Sequence, residues 1–187
     1  GEVVSCVGCH EAQNSVPPAS LKPLAGHRTP ADIKPWYGPP RGFSFVREIQ
    51  PVLDAFCVRC HDGKAREDGP TAFDLAGHPP ESVRSGFQMR FTPSYVALQR
   101  YVYSPTLESD AHLLNPREFH ADTSELVQIL RDGHYGVRLS DEAWDRLITW
   151  IDLNAPAHGT WNEVVGHLPD VAPLVERGAA RRRELHR

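Results

Sequence analysis

The sequence predicts a mainly α-helical fold in which helices are separated by long loops rich in proline and glycine. Three observations predict it. Apolar residues recur at helical spacing in three stretches that end near Cys57, Arg131 and Leu153. The 17 prolines and 14 glycines leave little regular structure between those stretches. With 187 residues and 40% apolar content, the chain has enough material for the core of one domain or two small ones.

From the N-terminus, residues 16–40 contain seven prolines and little periodicity, which predicts an extended arm laid over a surface, because proline sustains neither helix nor central strand. From Ser44 the pattern changes: Val46, Ile49, Leu53 and Phe56 form a helical stripe running into Cys57, with Pro51 either kinking the helix or sitting in its first turn. Residues 62–90 read as loop, broken by Gly63, Gly69, Pro70, Gly77, Pro79, Pro80 and Gly86. A short helix is expected from Pro93 to Tyr103. A second runs from Asp122 to Arg131, with Asp122, Thr123 and Ser124 as capping residues and Gly133 as its stop.

The clearest helix is Asp141 to Leu153. Ser140 caps it, Asp141 and Glu142 favour its positive end, and Trp144, Leu147, Ile148 and Ile151 share one face. The charged tail from Glu176, with Arg181, Arg182 and Arg183 in a row, reads as a solvated helix or domain exit. The expected organisation is therefore a first motif and proline-rich arm over residues 1–42, a helical domain over 43–165, and a charged exit segment over 166–187.

A net charge of −4 without a basic stripe argues against nucleic acid as a partner. No run of about 18 apolar residues offers a membrane span. The opening residues lack the basic and apolar regions of a signal peptide, as expected of a mature or excised chain.

All four cysteines lie in two C-x-x-C-H motifs, Cys6-Cys9-His10 and Cys57-Cys60-His61, so none is left for a disulfide framework. In this motif two thiols add across the vinyl groups of haem, and the adjacent histidine lies under the iron as proximal ligand. Two covalently attached haems c are therefore expected, with cytochrome c-like helices around them. The competing reading is structural zinc. It fits poorly, because 47 residues separate Cys9 from Cys57 where a compact zinc site has roughly 15–20 between its pairs, and because zinc does not explain a histidine after each pair.

Each iron then has a sixth position to fill, and the candidates are Met89 and the histidines outside the motifs, most of which should be surface or hydrogen-bonded residues. His134 is the first choice for the second haem, because it lies in a glycine-rich loop just ahead of the terminal helix. His120 is 14 residues away, up to about 20 Å if the intervening chain is helical, so the two cannot serve one iron. For the first haem, with His10 proximal, His120 leads, His112 follows, and an open or non-histidine position remains. Met89, flanked by Phe87 and Phe91, reads more simply as a core gap-filler.

Several short segments occur in a recognisable order: Cys6-Val7-Gly8-Cys9-His10-Glu11, Tyr37-Gly38-Pro39-Pro40-Arg41-Gly42-Phe43-Ser44-Phe45, Ile49-Gln50-Pro51-Val52-Leu53, His120-Ala121-Asp122-Thr123-Ser124, Gly133-His134-Tyr135, and Leu147-Ile148-Thr149-Trp150-Ile151-Asp152-Leu153-Asn154-Ala155-Pro156. Over nearly the whole chain they resemble the two-haem cytochrome c region of the hydrazine synthase alpha subunit family and related planctomycete c-type cytochromes. In that family the first motif's histidine is drawn off to zinc and a tyrosine four residues later approaches the iron. Here that position is Asn14, a poor haem ligand, which returns His10 to the proximal role and removes the feature tied to hydrazine synthesis. The resemblance implies bis-histidine ligation of the second haem, in agreement with His61 and His134. It also implies a module of a longer secreted chain, with haem attached in the periplasm or another extracytoplasmic space.

The first functional expectation is thus a dihaem electron-transfer module whose partner is a redox protein or another domain of a longer chain. The second is a haem enzyme whose open first haem binds a small nitrogen species or peroxide. A third is a module in which the haems mainly hold the fold together.

Overall fold

Pro51 decides how the chain enters its first helical segment. Its ring would strike the carbonyl of Arg47 in a continuous helix, and it has no N–H to donate. The helix accordingly breaks at Ile49 into α1, Phe45–Glu48, and α2, Gln50–Phe56, with Pro51 in the first turn of α2. The break shifts the buried face: Phe45, Ile49, Val52 and Leu53 are buried, whereas Val46, expected on the inner stripe, is 51% exposed.

This computed structural model describes residues 28–65, 73–82, 89–102 and 117–185. The first motif with Asn14, and the candidate ligand His112, lie outside the described residues. The chain divides into two units, Gly1–Pro40 and Arg41–Arg187. In the first, residues 28–40 form neither helix nor strand, and Trp36 meets Tyr37 edge to face at 5.0 Å.

The second unit is helix-rich. The stretch expected as loop carries two short pairings, an Asp62–Asp74 bridge and an antiparallel pair of β1, Glu81–Ser82, with β2, Arg90–Phe91. Helix α3, Pro93–Gln99, starts at Thr92, whose hydroxyl accepts the Tyr95 N–H at 3.2 Å. The helix expected from Asp122 begins later, because Ser124 is extended. A 3-10 turn, Ala121–Thr123, precedes it, and α4 spans Glu125–Asp132 until Gly133 turns to φ +100°.

Helix α5, Asp141–Asp152, is capped by the Ser140 hydroxyl, as its sequence requires. Beyond it lie α6, Trp161–Val165, and α7, Ala172–Leu185, the charged tail, which has no buried residue. Among the described residues, no helix is long and apolar enough to cross a membrane.

The core centres on three rings from three helices. Phe45 lies 5.2 Å from Tyr95 and 5.3 Å from Trp150, and all three are buried. Glu48 sits beside them, 1% exposed, and receives Arg41 (2.6 and 2.8 Å), Arg47 (3.0 Å) and Arg146 of α5. These guanidinium groups hold its carboxyl at about 2, far below the ordinary glutamate value. The ion cluster thereby ties α1 to α5. Behind it, the backbones of Gly42 and Gly159 meet so closely that a Cβ on either residue would enter the other's main chain.

Candidate metal centre

Helix α2 delivers the second motif. It ends at Cys57, whose carbonyl accepts the N–H of Cys60 at 3.0 Å and of His61 at 2.9 Å. This winds the motif into a turn in which residues i, i+3 and i+4 share a side, which is why the two cysteines and the histidine need that spacing. Cys57 is half-buried and Cys60 exposed. Burial, with the neighbouring Cys60 thiol, pushes the Cys57 thiol up to about 11, so it is fully protonated near neutral pH.

Two anchors fix His61. Its carbonyl accepts the Leu75 N–H at 2.8 Å, and its ring lies 4.5 Å from Phe73, which in turn stacks on Tyr101 at 5.5 Å. The Tyr101 carbonyl accepts the N–H of Leu126 at 3.0 Å, linking this row of rings to α4. At the other end of α4, Gly133, Tyr135 and Gly136 all take positive φ, forming the tight loop that carries His134. A cleft of about 570 Å³ lies beside this loop, between Leu130, Leu139 and Trp144.

The result is a pair. The His61 and His134 rings are 5.9 Å apart and 15° from parallel. It is a stacked contact, so the two imidazoles share one place in the fold. Burial, and secondarily His134, lower the pKa of His61, which favours the neutral imidazole that a metal requires. The Phe73 backbone hydrogen-bonds the ring and partly offsets this lowering, while the buried Nδ1 lacks a partner of ordinary hydrogen-bond geometry.

The donor set here is two imidazoles beside a C-x-x-C turn. Among the described residues, no three His, Cys, Asp or Glu side chains are grouped to hold a metal. Zinc needs four donors, whereas iron already held by a porphyrin needs only two axial ones.

The other described candidates lie on different segments. His120 is exposed at the start of the 3-10 turn, with its backbone engaged by Arg117 and Thr123. Met89 is half-buried next to β2. Sequence reasoning counted His158 and His167 among the candidate sixth ligands without singling out either, and their Nε2 atoms are both buried without a hydrogen-bond partner. Nothing in their local sequence marks them; the signal exists only once the chain is folded.

No protein family, curated protein or solved structure matches the chain.

Proposed function

We propose that the protein is a dihaem c-type cytochrome module that passes electrons in a periplasmic or other extracytoplasmic space, related to the two-haem region of the hydrazine synthase alpha subunit family. The observation that carries this reading is the near-parallel His61–His134 pair, one member of which directly follows a C-x-x-C turn. Haem supplies one-electron chemistry at a potential set by its axial ligands and burial.

The residues of the chain do the rest. The Cys57 and Cys60 thiols would hold the haem by adding across its two vinyl groups, sulfur to one carbon and hydrogen to the other, so attachment would consume no oxidant. The same chemistry is assigned to Cys6 and Cys9, with His10 as proximal ligand. His61 and His134 would both hold the haem of the second site, which would leave no position there for a substrate. Phe73 and the Leu75 N–H hold His61 in place, and the loop Gly133–Gly136 holds His134. The partner is a redox protein or another domain of a longer chain.

Optical spectra of the reduced protein with carbon monoxide, and separately with nitric oxide, test the reading. Unchanged spectra support saturated irons and electron transfer. A response from one haem at the expense of its low-spin signal would favour an enzyme acting on a small nitrogen species or peroxide.

A further inference from the structure

The unit Arg41–Arg187 contains a second cavity, of about 430 Å³, which shares no lining residue with the cleft beside the His134 loop. One wall of it is a row of rings. Phe91 of β2 stacks on Tyr95 of α3 at 5.3 Å and 17°, and on His158 at 5.5 Å and 21°. The core holds this wall. The Tyr95 hydroxyl donates to the Ala155 carbonyl at 3.0 Å, its ring meets Phe45 edge to face at 5.2 Å, and the Ala157 carbonyl, next to His158, accepts the Phe45 N–H at 3.2 Å. The site is therefore formed before any ligand arrives, with a volume and a largely apolar lining within the range of small-molecule sites.

The charged groups select the sign of the ligand. Arg47, Arg90 and Glu163 all line the cavity. Glu163 is already engaged, one carboxylate oxygen accepting the Gly159 N–H at 2.8 Å and the other facing Arg47 at 3.6 Å. Arg47 is divided between that carboxylate and the buried Glu48, at 3.0 Å. Arg90 differs from both. Its backbone is held opposite Ser82 in the β1–β2 pair, its side chain is exposed at the rim of the cavity, and no ion pair among the described residues engages it. The Nε2 atoms of His158 and His167 meet no hydrogen-bonding group of the described residues, and an imidazole offers water or a ligand either a donor or an acceptor, so these two rings oppose no anion.

Chemistry narrows the ligand further. Two guanidinium groups at the cavity oppose a cation. A small hydrated anion leaves the ring wall in water and gains nothing from it. A bare divalent metal needs more donors than the described residues group anywhere. What fits is a flat apolar body carrying one carboxylate, since rings stack on rings and a guanidinium takes a carboxylate through two parallel N–H bonds.

We propose that this cavity binds a small aromatic carboxylate, with its ring on the Phe91–Tyr95 wall and its carboxylate on Arg90. The site lies within one unit of the chain and is independent of the haem reading.

Isothermal titration calorimetry of the full chain with benzoate and with naphthoate tests it, using hydroxymethylnaphthalene as the neutral analogue of the larger ring. At least one of the two acids should bind saturably at one per chain, and the alcohol about tenfold or more weaker than naphthoate. Arg90→Gln should weaken the acid by about tenfold and leave the alcohol unchanged, whereas Arg90→Lys should recover part of the loss. Arg90 is exposed, so both variants should keep the fold, and a thermal melt checks this. The Soret band should not move as the acid binds, and His134→Ala should bind it as the unaltered chain does. Absence of saturable binding by either acid overturns the proposal, as does an affinity that Arg90→Gln leaves unchanged. Binding that moves the Soret band and is lost in His134→Ala also overturns it, because the ligand would then sit at the second motif.

Discussion

His61 and His134 hold their imidazole rings 5.9 Å apart and 15° from parallel, although one follows α2 and the other follows α4. Neither local sequence dictates the other's position. The row Phe73–Tyr101 and the Leu126–Tyr101 hydrogen bond bring the two segments to one place.

On the proposed dihaem reading, replacing His134 with Ala should convert about half of the ferric haem signal from low-spin to high-spin, because one of two haems would lose an axial ligand. The potential of that haem in the unaltered protein should lie below that of a His/Met haem, since a thioether ligand raises it. Optical and EPR spectra check the first expectation and a redox titration the second. An unaltered spectrum would assign the ligand elsewhere.

Acid should unfold the protein through Glu48. Its carboxyl is held at about 2 in the fold, against 4.5 for the ordinary group, so the folded state binds its proton less readily than the unfolded chain. The stabilisation is fully present above pH 4.5 and is lost as pH falls toward 2. It is on the order of 2 kcal/mol, somewhat below the full linkage value because the arginines reach solvent. Glu48→Gln should lose about that much or more near neutral pH, leaving guanidinium groups unmatched, and should flatten the pH dependence. Denaturant midpoints at pH 7, 5 and 3 for both proteins measure this.

Gly42→Ala should destabilise the fold by about 2 kcal/mol, since the added Cβ meets the main chain of Gly159 rather than a side chain that can rotate away. A thermal melt reads the loss. Ala at Gly136, where the Cβ meets nothing within 4 Å, should cost about 1 kcal/mol through its φ of +77° alone.

Much of this architecture was legible in the sequence, and the reasons are local. Ser140 with Asp141 and Glu142 marks the start of α5, and the period of Leu147 and Ile151 marks its inner face. Pro51 signals a break without saying where the chain would turn, and so the inner face of α1 was placed on Val46 rather than Phe45. The extended conformation of Ser124 likewise moved the start of α4 beyond Asp122. Of the site, Cys57, Cys60 and His61 declare themselves by spacing, and His134 by the glycines around it. His158 and His167, whose Nε2 atoms are buried without a hydrogen-bond partner, carry no such mark, because that property arises from the packing of segments far apart in the chain, as where His158 meets Phe91.

The central claim is that both C-x-x-C-H motifs carry haem, and an intact-protein mass measurement tests it most directly. The chain, matured in a host that attaches haem c, should show the polypeptide mass plus two haem masses, with a pyridine haemochrome spectrum giving two haems per chain. A polypeptide of unmodified mass, from such a host, would contradict it.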